Sequence, residues 1–282
     1  MAHNLLRLTE TVYNVPHCIT PSALAVALDY LENRNNGAEL ARYDEKPINP
    51  EKAAKPVNGL GVLSVDGSLT YKPIYTMCGE LGTSYQSLVR QTEELIHGGA
   101  KTIVMEVTSG GGEAAHCFET ANEIRALCDE SGVKLIGYAD TMAASAAYAL
   151  ISVCDVVIAN PSAQIGSIGC VVALLDTSAA MDKAGLKRIF ITSGESKVPF
   201  ADDGTFKKSF LDDIQARVDA LNDEFTAHVS EHTGLDAKTI KSFEAAVFDA
   251  NDALSKGLIS SVMTNKEFAQ YVAHVIKEPN EA

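Results

Sequence analysis

Three short apolar runs constrain this chain more than any other feature: TIVMEVTS (102–109), KLIGYAD (134–140) and DVVIAN (155–160). Each is bounded by small or polar residues, the mark of strands buried on both faces. Helix-length segments lie between them. The alternation begins at Gly59 with the strand and turn of GLGVLSVDGSL, then the helical spacing of Leu88, Thr92 and Leu95 within Tyr85–His97. A helix to about Glu130 follows Gly110–Gly112, and PSAQIGSIG leads into CVVALLD, a short helix near Ser178–Ala184, and KRIFITS (187–193), which reads as a further strand. Strands separated by helices predict βαβ units, so the fold class is α/β with a mostly parallel sheet.

In such sheets ligands gather at the carboxyl ends of the strands. Three ends converge there: Ser109-Gly110-Gly111-Gly112, Asp140-Thr141 ahead of Ser145, and the run from Ser193 to Lys197. Ser145 stands in GYADTMAASAAYALISVC (137–154), where small neighbours let a base and a substrate approach, or simply let helices pack closely. The familiar alternatives have no support in the sequence. It has no GxxxxGK[ST] phosphate loop, no HExxH and no GxSxG around any serine. His97, His116, His228, His232 and His274 fall in or at the ends of helices, leaving a Ser-His-Asp triad without a base. A lysine can replace histidine if the fold lowers its pKa from about 10.4 to near 7–8, worth roughly 3–5 kcal/mol of desolvation and positioning. Lys197, after KRIFITS and Gly194, is placed for that role, whereas Lys183, Lys187, Lys207 and Lys208 read as solvated charges. The glycines 110–112 open a helix whose free N–H groups could face an oxyanion, a generic anion or only a turn.

Composition bounds the rest. A chain of 282 residues with 46% hydrophobic and 21% charged residues can bury an ordinary core. A net charge of −14 argues against nucleic-acid binding, which needs Lys and Arg against phosphates. The six cysteines lack CxxC or His partners at ligand spacing, so they read as reduced core thiols, and no metal or cofactor is expected. No run approaches a bilayer span, and the N-terminus lacks a basic-then-apolar leader, so the expected location is the cytoplasm, with no membrane anchor. Thr20-Pro21-Ser22 opens a helix carrying Leu24, Leu28 and Leu31 to about Asn33, and apolar density then collapses from Arg34 to Asn58. Residues 1–58 thus read as an N-terminal helical arm and linker, and 59–282 as the main domain. Phe206–His232 reads as a long helix with the stripe Phe210, Ile214, Val218, Leu221 and Phe225, and Asn265–Lys277 as a closing amphipathic helix.

Four ordered blocks carry a resemblance: TSGGGEA, ADTMAASAAYALISVCDVVIANPSAQIGSIG, ITSGESKVPFADDG and EHTGLDAKTIKSFEAAVFDANDALSKGLISSV. From Gly59 to Val262 the chain resembles the signal peptide peptidase A family of Ser-Lys proteases. Within that family it is similar to the bacteriophage prohead (capsid maturation) proteases of the lambda type, as is the opening NVPHCITPSALAVALDYL. The resemblance implies a ClpP/crotonase-like superhelix of ββα units and a homo-oligomeric ring with inward-facing sites. It implies Ser145 as nucleophile, Lys197 as general base, Ser167 orienting the lysine, and the Gly111 and Ala146 amides as oxyanion hole. Gly110 and Gly112 would contact the substrate strand. The chain departs from the family's DSPGG turn with Thr108 for Asp and Gly110 for Pro, which loosens that turn. The implied substrates are phage scaffold and major capsid proteins, cut in the host cytoplasm inside the immature capsid. Lambda-type relatives carry a C-terminal scaffold extension, so the scaffold is expected here as a separate or removed product. A soluble bacterial peptidase of the same family and a non-proteolytic assembly component are the alternatives, the latter opposed by the intact Ser145, Lys197 and Ser167. A crotonase-type acyl-CoA enzyme would need no Ser-Lys pair.

Overall fold

The computed structural model describes residues 12–35, 55–76, 79–80 and 82–277, so most of the expected linker, residues 36–54, lies outside the described residues. The chain opens with β1 (Pro16–Ile19) and α1 (Pro21–Asn35). Next come β2 (Leu60–Asp66), β3 (Leu69–Thr70), β4 (Tyr75–Thr76), β5 (Gly79–Glu80), β6 (Thr83–Ser84) and α2 (Tyr85–His97). The centre runs β7 (Thr102–Ser109), β8 (Gly111–Glu113), α3 (Cys117–Glu130), β9 (Lys134–Ala144), α4 (Ala146–Ser152), β10 (Val156–Ala159), β11 (Gln164–Gly166) and β12 (Val171–Val172). It ends with α5 (Ser178–Lys183), α6 (Lys208–Thr233), α7 (Ala237–Lys241), β13 (Val247–Asp249), α8 (Ala250–Ser255), β14 (Ser261–Val262) and α9 (Asn265–Val275).

The main sheet is α/β and mostly parallel, as its sequence predicts. β2, β7 and β9 pair in parallel; β9 then pairs in parallel with β10 through residues 136–139 and with β11 through residues 142–144. β14 adds in parallel to β10, and β13 alone joins antiparallel, at β11. β7 and β9 are central, which is why their side chains are apolar on both faces. Because successive residues point to opposite faces, Ile103, Met105 and Leu135 enter a large core with α2, α3 and α4, whereas Val104, Ile136 and Tyr138 pack under α9. Tyr138 stacks on Phe268 of that helix at 3.9 Å between ring centroids. A reciprocal capping box between Thr264 and Glu267 starts α9, satisfying helix N–H groups that would otherwise lack partners. A second, five-stranded sheet runs β12-β1-β8-β3-β6.

One expected strand does not form. KRIFITS (187–193) is irregular, and every residue from 182 to 197 is exposed, with Ile189 at 83% and Ile191 at 99%. A strand needs a hydrogen-bonded neighbour, and this segment makes no ladder with any described strand. An aromatic ladder fixes it instead: Phe190, Phe200, Phe206 and Phe210 stack in succession at 5.8, 5.1 and 5.5 Å, with the Arg188 guanidinium over Phe200. The stripe of α6 is correspondingly divided. Phe225 is buried, whereas Phe210, Ile214, Val218 and Leu221 are half-buried, where the helix runs out beside the exposed segment.

Candidate active site

Ser145 sits where the central strand β9 turns directly into α4, with no loop between them. Its backbone is left-handed, φ 58° and ψ −122°, a conformation that a residue with a Cβ adopts only under constraint. The constraint is visible. The Ser145 N–H donates to Gly166 O at 2.7 Å, and its carbonyl accepts from Tyr148 and Ala149 at 2.9 and 3.0 Å. The flanking residues 143, 144, 146 and 147 are all alanine and all fully buried, so the small side chains permit the sharp turn. Ala146 is the first residue of α4, and its N–H has no intrahelical carbonyl to bond. The turn supplies what the missing GxSxG pattern would: a serine held out of regular structure at a strand's carboxyl end.

The glycines 110–112 do not open a helix as expected: Gly111 and Gly112 pair in β8, α3 begins only at Cys117, and the glycine turn meets this serine. A methyl group built on Gly111 would stand 3.0 Å from both Ala146 N and Ser145 Cβ, so only glycine lets the two backbones approach this closely; its φ of 96° also favours glycine. Gly112 is as tightly confined, since its Cβ would fall 2.0 Å from Leu69 O. Gly110 faces Thr20 and Met142. The Gly111 N–H donates to Ser109 Oγ at 3.1 Å, and the Ser109 hydroxyl in turn donates to Gly67 O at 2.6 Å. Ser109 therefore braces the turn in place of the absent proline. No sequence signal indicated this, because Gly67 belongs to a distant turn.

Ser167 mirrors Ser145. Gly166 pairs with Ala144 across β11 and β9, so both serines follow directly from paired residues, and Ser167 also has a left-handed φ, 52°. Its N–H donates to Ala246 O at 2.8 Å. The Ser145 hydroxyl donates to Gly169 O at 3.4 Å, a long bond that leaves the oxygen readily redirected. Lys197 stands elsewhere. It ends a single 3-10 turn, Glu195–Lys197, with an exposed side chain, and makes no hydrogen bond or ion pair with Ser145 or Ser167. The single chain thus assembles Ser145, Ala146, Gly111 and Ser167 but does not bring Lys197 to them. Cys117 lies beside the site, its Sγ–H donating to Ala146 O at 3.5 Å, and burial pushes it up to about 12, leaving it protonated and unreactive. Among the described residues no cluster of three or more His, Cys, Asp or Glu could hold a metal, and no helix is long and apolar enough to cross a membrane.

Chemically, a buried serine on a strained strand-to-helix turn, with a glycine turn against the following amide, places a hydroxyl beside backbone N–H groups. The model of peptidase family S49 matches residues 128–277, more than half of the chain, and the chain belongs to that family. It is 29% identical over 253 residues to capsid assembly protease C of Escherichia phage lambda, covering 86% of this chain and 55% of that protein. It is 26% identical over 242 residues to the head-tail preconnector protein GP5 of Enterobacteria phage P21, covering 84% and 47%. The chain thus spans about half the length of these relatives. Among solved structures it is similar to a ClpP1 mutant from Listeria monocytogenes, with a TM-score of 0.47 and 11% identity, over 73% of this chain and 92% of the other.

Proposed function

We propose that the chain is a serine endopeptidase that uses Ser145 and Lys197 as a dyad, and that it acts as a prohead protease on phage scaffold and capsid proteins. The strained, buried Ser145 beside the free Ala146 amide carries this reading. Ser145 Oγ attacks the scissile carbonyl as the base takes its proton; the tetrahedral oxyanion is held by Ala146 N–H and by Gly111 N–H once it swings from Ser109. The amine leaves with the returned proton, and water releases the acyl group by the same steps in reverse roles. Ser167, on the twin turn, is suited to hold the lysine.

Lys197 is exposed on an apolar segment without a strand partner, so we infer that the dyad is completed in a homo-oligomer, where the segment 186–197 of one copy packs against the site of the next. Burial in that interface would desolvate the lysine, which is what a neutral base requires. Residues 1–58 act as an arm and 59–282 as the catalytic domain, working in the host cytoplasm or inside the immature capsid. Mixing the purified protein with co-expressed scaffold and coat proteins tests the reading. Mass-measured fragments are expected for the wild type, and a loss of about 10³-fold or more for Ser145→Ala and for Lys197→Ala, with melting curves unchanged. Processing at wild-type rates by either variant removes the dyad.

A further inference from the structure

The space in front of Ser145 is filled by the chain itself. β1 lies antiparallel between two strands, with Cys18 opposite Gly112 and Ile19 opposite Gly111 on one side, and Pro16 opposite Val172 and His17 opposite Val171 on the other. The Thr20 N–H extends the ladder by donating to Gly110 O at 2.9 Å. The Cys18 carbonyl lies beside the site: the methyl position on Gly111 that lies 3.0 Å from Ala146 N and Ser145 Cβ lies 2.2 Å from Cys18 O. The far side of the channel begins at Gly169, whose carbonyl receives the Ser145 hydroxyl, and continues through Cys170, whose Sγ is 3.3 Å from Cys18 Sγ. A peptide bound for hydrolysis needs the same main-chain pairing on these strand edges, which then brings one of its carbonyls to the hydroxyl and the amides.

We propose that Pro16–Ile19 is a built-in occupant of the peptide channel, a substrate mimic that closes the site until it is displaced. The channel then takes extended peptides with a small, uncharged side chain where Cys18 now sits, because that side chain is fully buried against Cys170. The mimic persists uncut because the base is absent from the single chain. The segment behind it, α1, anchors it only lightly, with Leu31 buried and Val26 at 71% exposed. The inference rests on Ser145 being the nucleophile.

The nearby thiols give a test in the full chain. Their hydrogen bond, with burial, holds the Cys18 thiol well above its ordinary pKa, so a reagent is needed to join them. Diamide removes two electrons and two protons from Cys18 and Cys170, forming the S–S bond and becoming the hydrazine, and the bridge fixes β1 in the channel. Labelling of Ser145 by a fluorophosphonate is followed by intact mass. The rate is expected to fall roughly tenfold or more on bridging, in proportion to the open fraction, to recover with dithiothreitol, and to be indifferent to diamide in Cys170→Ser. Cys18→Arg, which cannot be seated, is expected to label several-fold faster than wild type. Equal labelling of bridged and reduced protein overturns the proposal, as does a folded Cys18→Arg that labels no faster. Absence of Ser145 labelling in every form removes the nucleophile reading and the mimic with it, whereas labelling indifferent to the bridge removes the mimic alone.

Discussion

The region around Ser145 and the region around Lys197 are built in opposite ways. From β9 into α4 nearly every side chain is buried, the backbone is bonded on both sides, and strain is sustained at one residue. From 182 to 197 every side chain is exposed, and the backbone finds no sheet partner among the described strands. A nucleophile needs a fixed position and can be made by one chain's core. A lysine base needs desolvation, and this chain alone leaves Lys197 in water. On the proposed reading, the contrast would separate the dyad into a part made by folding and a part made by assembly.

The sharpest way to break that division is complementation, where the largest effect is expected. Ser145→Ala and Lys197→Ala are each expected to lose about 10³-fold or more of their activity. Mixed under exchange conditions, the two variants should regain a measurable fraction, because some sites then combine an intact serine from one copy with an intact lysine from its neighbour. No recovery from a demonstrably mixed oligomer would place both groups in one chain.

Gly112→Ala probes the rigid region next. The added Cβ would stand 2.0 Å from Leu69 O and 2.5 Å from Leu69 N, and backbone cannot yield as a side chain can. A loss of about 2–4 kcal/mol in chemical denaturation is expected. A change below about 0.5 kcal/mol, the range of ordinary surface substitutions, would show that β8 is not held against β3. Ile191→Asp is the matching probe of the exposed region. Ile191 is 99% exposed, so the monomer should keep its stability within about 0.5 kcal/mol while sedimentation shows smaller species and cleavage falls. An unchanged oligomer would move the interface elsewhere.

The same contrast explains what could be read from sequence. The strands 102–109 and 134–140 and the helix 85–97 were legible because burial on both faces writes an apolar run, and a helix writes its period; the glycines 110–112, expected to open a helix, instead enter β8 ahead of α3. KRIFITS carries the same apolar run, yet no ladder forms there, since composition records a wish for burial and not the chain that supplies it. Ser145 was legible only through its small neighbours; its left-handed turn, the Ser109 brace and the strand β1 across it arise from contacts between residues far apart in sequence, which leave no local pattern.

The smallest expected effect is a pH dependence confined to the rigid region. His228 of α6 is buried against α4, and its Nε2–H donates to Ala149 O at 3.0 Å, one turn beyond the serine. Burial lowers its pKa below the ordinary value, with the nearby His232 opposing protonation as well. The folded state therefore binds fewer protons than the unfolded state as pH falls through the unfolded value near 6.5, and stability declines there. His228→Gln, which can still donate to Ala149 O, should flatten that slope in melts taken from pH 7.5 to 5.5. An unchanged slope in His228→Gln would show that acid acts elsewhere, and that the support of the serine's helix does not depend on a neutral histidine.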